Sequence, residues 1–174
     1  MNRFTGLLIV FTAFIFLSCN PKKSVDSLKP VSIAQLKTNP SDYLDKRIVI
    51  TGTVSHVCRE GGQKMFLFQN HPDSLIRITT GPSLTEFTID LEGKEVEVTG
   101  IYRQLKIDEA YLTDLEKGQM NDKGHTNENP SIHKNEPVAG NIQRLRERIA
   151  ASGSGYITDQ WIEAESFTVL SDKD

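Results

Sequence analysis

The chain has 174 residues, with 20 Lys and Arg against 23 Asp and Glu, and a formal net charge of −3. That balance argues against a polycation that grips nucleic acid through its phosphates, because such binding needs Lys and Arg to displace counterions. The length suits one domain with one core, and the two cysteines, Cys19 and Cys58, are too few for a disulfide scaffold.

Residues 1–18 have the character of an export signal. Arg3 supplies the charge, and the apolar run Leu7 to Leu17 is roughly 11 residues long. A membrane-spanning helix needs about 20, whereas a signal peptide needs a run of this length. The segment ends Phe16-Leu17-Ser18-Cys19. It resembles the bacterial lipobox, although Phe16 stands where that pattern most often has Leu. The resemblance implies a covalent lipid on Cys19 and a protein tethered to a membrane of the cell envelope. Residues 19–30 then form a tether. Asn20-Pro21-Lys22-Lys23-Ser24 is polar, breaks structure and holds no acidic run, which favours the periplasmic side. With Cys19 lipidated, Cys58 has no disulfide partner. A lone thiol outside the cytoplasm is buried, metal-bound or redox-active. No Cys-x-x-Cys accompanies it.

The folded domain is expected over 31–174. Ser32 can cap a short helix whose apolar stripe is Ile33 and Leu36, ended by Asn39-Pro40. From Ile48 to Cys58 the chain alternates with period two and is rich in β-branched residues, which predicts a long first strand. Gly52 marks a bend or bulge within it. Gly61-Gly62 predicts a two-residue turn into a second strand, Met65 to Gln69. A third strand follows over Leu75 to Thr80, then a crossing segment with Leu84 and Phe87 inward. The fourth strand spans Lys94 to Tyr102, and Gly100 repeats the bend of Gly52. Leu105 to Lys117 has helical spacing, with Tyr111, Leu112 and Leu115 in register. Residues 118–137 are polar and rich in breakers, with too little apolar surface to order themselves. Asn141 to Ala151 is a second helix with Ile142, Leu145 and Ile149 on one side. Tyr156 to Trp161 leads into a last strand, Ile162 to Leu170.

Three strands, a crossing element, a fourth strand, an excursion and a fifth strand make the order of an OB-fold barrel. The expectation is a mainly β, five-stranded OB-fold-like barrel. It has a short N-terminal helix and a helical, partly disordered insertion over 105–156. The stretch Asn39-Pro40 to Tyr43, then Asp45 to Val54, resembles the start of OB-fold domains in small bacterial envelope lipoproteins. Lys94 to Gly100 is similar to that family's fourth strand. Such domains are grouped with a nucleic-acid-binding, tRNA-anti-like OB superfamily. The resemblance covers Val31 to Tyr102 and the last strand, and implies fold more than ligand.

Two groups of residues are candidates for chemistry. With Gly61-Gly62 as the whole turn, Cys58 lies opposite Met65, and His56 opposite Leu67. His56, Cys58 and Met65 then share one face, with opposed Cβ atoms about 4.5–5.5 Å apart. Imidazole, thiolate and thioether together would suit copper as Cu(I), or less well zinc. The alternative is that the three are core, because Ile48, Ile50 and Val54 share that face. The second group is Lys64, Phe66, Phe68 and Arg77. Two rings at i and i+2 beside basic groups are what an OB-fold uses to stack an oligonucleotide or a glycan. The alternative again is core. Nucleic acid is disfavoured by charge and by an envelope location. His125 and His133 lie in the polar excursion and match no metal-ligand spacing. Glu95 and Glu97 share a strand face but read as alternating charge on an exposed strand, and no nucleophile elbow or phosphate loop is present. The chain therefore reads as a non-enzymatic, membrane-tethered, periplasm-facing binding module. Its ligand or protein partner is not named by the sequence.

Overall fold

The structure is a computed structural model describing residues 28–117 and 138–171. The leader, Cys19, most of the tether and the excursion with His125 and His133 lie outside the described residues.

Alternation of buried and outward side chains, broken within β1, builds the barrel. The five strands are β1 (Arg47–Val57), β2 (Lys64–Gln69), β3 (His71–Thr80), β4 (Glu95–Asp108) and β5 (Tyr156–Ser171). They close in the order β1-β2-β3-β5-β4, with β3 and β5 parallel and every other pair antiparallel. This is the mainly β, OB-type barrel that the order of elements implies. β1 serves both sides: its first half pairs with β4 and its second half with β2. Ile50, Val54, Met65, Leu67, Ile78, Val96, Val98 and Ile162 fill the interior. Within the barrel, closure pairs each strand with a neighbour on both sides.

Helix α1 (Ile33–Thr38) starts where Ser32 predicts, with a full capping box. Ser32 Oγ accepts from Gln35 N–H at 3.1 Å, and Gln35 Oε1 accepts from Ser32 N–H at 2.9 Å. Ile33 and Leu36 pack into the barrel core. A single helical turn, α2 (Pro40–Tyr43), leads into β1. The crossing segment before β4 holds only a 3₁₀ turn, Ile89–Leu91, and buries Phe87 and Leu91.

The main departure from expectation lies after Tyr102. Helical spacing over Leu105 to Lys117 does not give one helix there. β4 instead runs on to Asp108, pairing Leu105 with Asp159 and Ile107 with Ile157 of β5. Tertiary pairing overrides local spacing. Helix α3 then spans Glu109–Glu116, capped by Asp108, whose carboxylate accepts from Tyr111 N–H at 3.0 Å. The insertion's second helix, α4, spans Val138–Ser152. The β4–β5 pair thus extends as an arm, and both helices lie on it. Ile107, Leu112, Ile142, Leu145 and Ile149 form a second core, separate from the barrel's. Arg146 ties α4 to α3 by bonds to Glu109 at 2.7 Å and Glu116 at 2.9 Å.

A candidate binding face on the first hairpin

The first hairpin departs from the expected register. Val54 opposes Leu67, but His56 opposes Phe66 and Val57 opposes Met65, with a shift between Val54 and His56. Ser55 is the extra residue of a β-bulge, and a bulge inverts the in-and-out parity of the residues beyond it. It falls at Ser55, not at Gly52. Gly52 serves close packing instead, since a Cβ there would lie 2.8 Å from the Phe68 carbonyl. Glu92, before β4, holds the bulge. Its carboxylate accepts from Val57 N–H at 2.9 Å and lies 3.1 Å from His56 Nδ1. The Val57 amide holds Glu92's carboxyl below its ordinary range, helped by His56.

The consequence is that His56, Cys58 and Met65 do not share one face. Met65 is 0 % exposed inside the barrel. His56 points outward, with its side chain 53 % exposed. Cys58 lies beyond the strand in a loop longer than the expected two-residue turn: its N–H donates to Lys64 O at 2.8 Å, and its carbonyl accepts from Gly62 N–H. Its thiol lies 3.8 Å from Glu60 O. The shared face of the three required an unbulged strand.

The same inversion assembles something else. His56 now stacks on Phe66, with ring centroids 6.4 Å apart and planes 18° from parallel. Phe66 and Phe68 both face outward and are half-buried, while Met65 and Leu67 between and beside them are buried. Strand register places these rings in two rows across the barrel's outer surface. One row is His56, Phe66, Arg77, Trp161 and Arg103. The other is Glu95, Thr53, Phe68 and Leu75.

Arg77 does not belong to an open ligand site. It is 5 % exposed, its guanidinium lies 5.2 Å from the Trp161 ring centroid, and it forms two bonds to Asp159, at 3.2 and 3.0 Å. Burial pushes the Asp159 carboxyl up, opposed by Arg77. Lys64 shares the outer face with the two Phe rings and is half-buried and engaged. Of the four residues expected to stack a ligand, the structure therefore leaves Phe66 and Phe68 half-buried on the outer face, with His56 beside them.

Beside Phe68 lies a groove of about 510 Å³, lined also by Thr51, Thr53, Gln69, Asn70 and Glu95. Sequence alone does not reveal Glu95 and Thr53, because only the β1–β4 and β1–β2 pairings bring them beside Phe68. Asp159 and Trp161 are hidden for the same reason, through the parallel β3–β5 pairing.

No family model matches the sequence, and no curated protein matches it. Among solved structures, the chain is similar to the aspartyl tRNA synthetase from Entamoeba histolytica, at 14% identity and a TM-score of 0.43, over 86% of this chain. It is similar also to a protein described as an aspartyl-tRNA synthetase from Leishmania major Friedlin, at 9% identity and a TM-score of 0.42, over 88% of this chain. In each case the match spans 23% of the other protein's length. Likeness at this level carries no argument about what the chain binds.

Proposed function

We propose that this chain is a non-enzymatic binding module of the cell envelope, tethered by lipid on Cys19 and facing the periplasm. It takes a ring-bearing oligomeric ligand across the outer face of β1 and β2. The observation that supports the reading is the pair Phe66 and Phe68, presented outward on a strand whose Met65 and Leu67 are buried, with His56 stacked on the first ring. Residues two apart on a strand are about 6.6 Å apart, so the two rings offer successive platforms for successive rings of a ligand. Each such contact contributes about 1–3 kcal/mol where bases stack on aromatic side chains. The tether rests on the leader and on the match of Phe16 to Cys19 to a lipobox.

Two measurements test the two halves of the proposal. Mass spectrometry of the membrane-extracted protein should find a diacylglyceryl-modified Cys19 at the mature N-terminus, and Cys19→Ser should release the protein to the soluble fraction. An unmodified residue 19 in a membrane-free protein removes the tether. For the face, nuclear magnetic resonance titration with neutral oligosaccharides and with a dT oligonucleotide should move signals of Phe66, Phe68 and His56. A ligand that binds the Phe66→Ala/Phe68→Ala double variant as tightly as the parent removes this face from the function.

A further inference from the structure

We infer that the ligand is an uncharged carbohydrate, one ring of which rests on Phe68 in the groove between β4, β1 and β2. The inference deepens the reading of the β1–β2 face and rests on it.

The groove's chemistry decides between the two ring-bearing oligomers that an OB-type face can take. A polynucleotide brings phosphates, and each needs a cation or a cluster of N–H donors nearby. Of the side chains that line this groove, Glu95 alone is charged, and its charge is negative. No hydrogen bond or ion pair engages its carboxylate among the described residues. The nearby basic side chains do not compensate. Arg77 is held by Asp159, Lys94 pairs with Asp90, and Lys64 is already engaged. A phosphodiester entering here would meet an uncompensated carboxylate.

A sugar ring meets complementary groups instead. Its C–H face can cover the half-buried Phe68 ring, and its hydroxyls can reach a row of small polar groups. Along the row from Phe68 come Thr53 and then Glu95, each directly paired with the next across neighbouring strands. Paired residues across antiparallel strands have Cβ atoms about 4.5–5.5 Å apart, a spacing that suits hydroxyls on one pyranose. Thr51 and Asn70 add a hydroxyl and an amide on the flank. The Gln69 amide is already committed, because it donates to Thr51 O at 2.7 Å and accepts from Ile33 N–H at 2.9 Å. It fixes the groove's wall instead. A carboxylate accepting from sugar hydroxyls forms charge-assisted bonds, the strong kind. The volume of about 510 Å³ falls within the roughly 300–1,000 Å³ usual for small-ligand clefts.

Calorimetric titration of the full chain tests this with five probes: chitotetraose, cellotetraose, maltotetraose, tetragalacturonate and a dT oligonucleotide. At least one neutral tetrasaccharide should bind saturably, with an affinity unchanged between low and moderate salt. Tetragalacturonate and the oligonucleotide should bind more weakly. Phe68→Ala should lower the neutral-sugar affinity about tenfold or more, and Glu95→Gln about tenfold. Glu95→Lys should abolish sugar binding and raise oligonucleotide binding at low salt. Both positions face outward, so the thermal midpoints of all three variants should stay near the parent's. Absence of saturable binding by every neutral probe overturns the inference. So does tighter, steeply salt-dependent binding of the oligonucleotide. If that binding is lost in the Phe66→Ala/Phe68→Ala double variant, the face itself stands. Neutral-sugar binding undiminished by the same double variant removes both the groove and the face.

Discussion

The barrel wears two different outer surfaces built from the same ingredients. On the β3–β5–β4 side, an aromatic ring, a guanidinium and a carboxylate meet as Trp161, Arg77 and Asp159, and the group is shut away. The insertion's helices cover the adjoining β4–β5 arm and bury a second apolar core against it. On the β1–β2 side, rings of similar size stay half-open, and the cleft beside them is polar and accessible. The first arrangement is consumed by structure, whereas the second is left available to a ligand. Which outward rings are closed off is thus decided by their neighbours, not by residue type.

The largest expected effect comes from breaking the closed half. Arg77→Met leaves the Asp159 carboxylate buried without its principal partner, which should cost about 3–5 kcal/mol in urea unfolding. Adding Asp159→Leu should recover most of that loss, since removing both charges is often neutral. A single variant that loses less than about 1 kcal/mol would mean that the pair behaves like an exposed one, and the contrast between the halves would fail.

A smaller change separates the two cores. Ile142→Val removes one methylene from the cluster under α4 and should cost about 0.5–1.5 kcal/mol. Amide exchange should rise in α4 and in the outer part of the β4–β5 arm, with β1 and β2 unaffected. An equal rise in the barrel would show that the two clusters unfold as one.

Acid should act on the two halves with opposite sign. Glu92's carboxyl is depressed by the Val57 amide and by His56. The stability it contributes to the open half is present above its ordinary value of 4.5 and is lost as pH falls through its lower folded value. Asp159's carboxyl is raised, chiefly by burial. Its contribution is therefore fully present below the ordinary 3.8 and is lost as pH rises through the higher folded value. Unfolding free energies measured across the acid range should lose opposite slopes in Glu92→Gln and Asp159→Asn. In the parent, the Val57 amide resonance should titrate with Glu92, and Glu92→Gln should flatten it. Slopes of the same sign in the two variants would contradict the assignment.

How far the sequence reveals these halves depends on the distance between cause and effect. Ile48, Ile50 and Val54 are legible because strand parity is local, and so are the cap at Ser32 and the buried stripe Ile142, Leu145 and Ile149. The parity of His56 is not local. It turns on a bulge held by Glu92, whose bond to Val57 spans 35 positions. A period-two reading carried through Ser55 therefore places His56 on the same face as Met65, whereas the fold buries Met65 and turns His56 outward. The Arg77–Asp159 pair spans 82 positions and depends on a parallel pairing that no alternation pattern announces. Leu105 and Ile107 fit a helix and a strand equally well by composition, and only their partners in β5 decide between the two. Phe66 and Phe68 are visible in the sequence as a pair, but the carboxylate and hydroxyls that give Phe68 a chemistry come from β4 and β1.

The smallest effect on stability should accompany a large effect on binding. Phe66→Ala removes a half-buried ring from the outer surface of β2, where it stacks on the exposed His56 ring and pairs across strands with Arg77 without sharing that residue's bonds to Asp159. Outward substitutions that leave buried bonds intact usually change stability by no more than about 0.5 kcal/mol. The lost stacking on His56 adds a few tenths at most for so open a pair. Phe66→Ala should therefore unfold close to the parent and bind its oligomeric ligand about tenfold or more weakly. Trp161→Ala should behave the other way, destabilising by about 3–5 kcal/mol because its ring backs Arg77, with little effect on ligand affinity in the fraction that stays folded. The two variants differ only in which half of the surface they touch. If Phe66→Ala proves the more destabilising, the open rings are structural as well, and the face proposed for binding loses the feature that sets it apart.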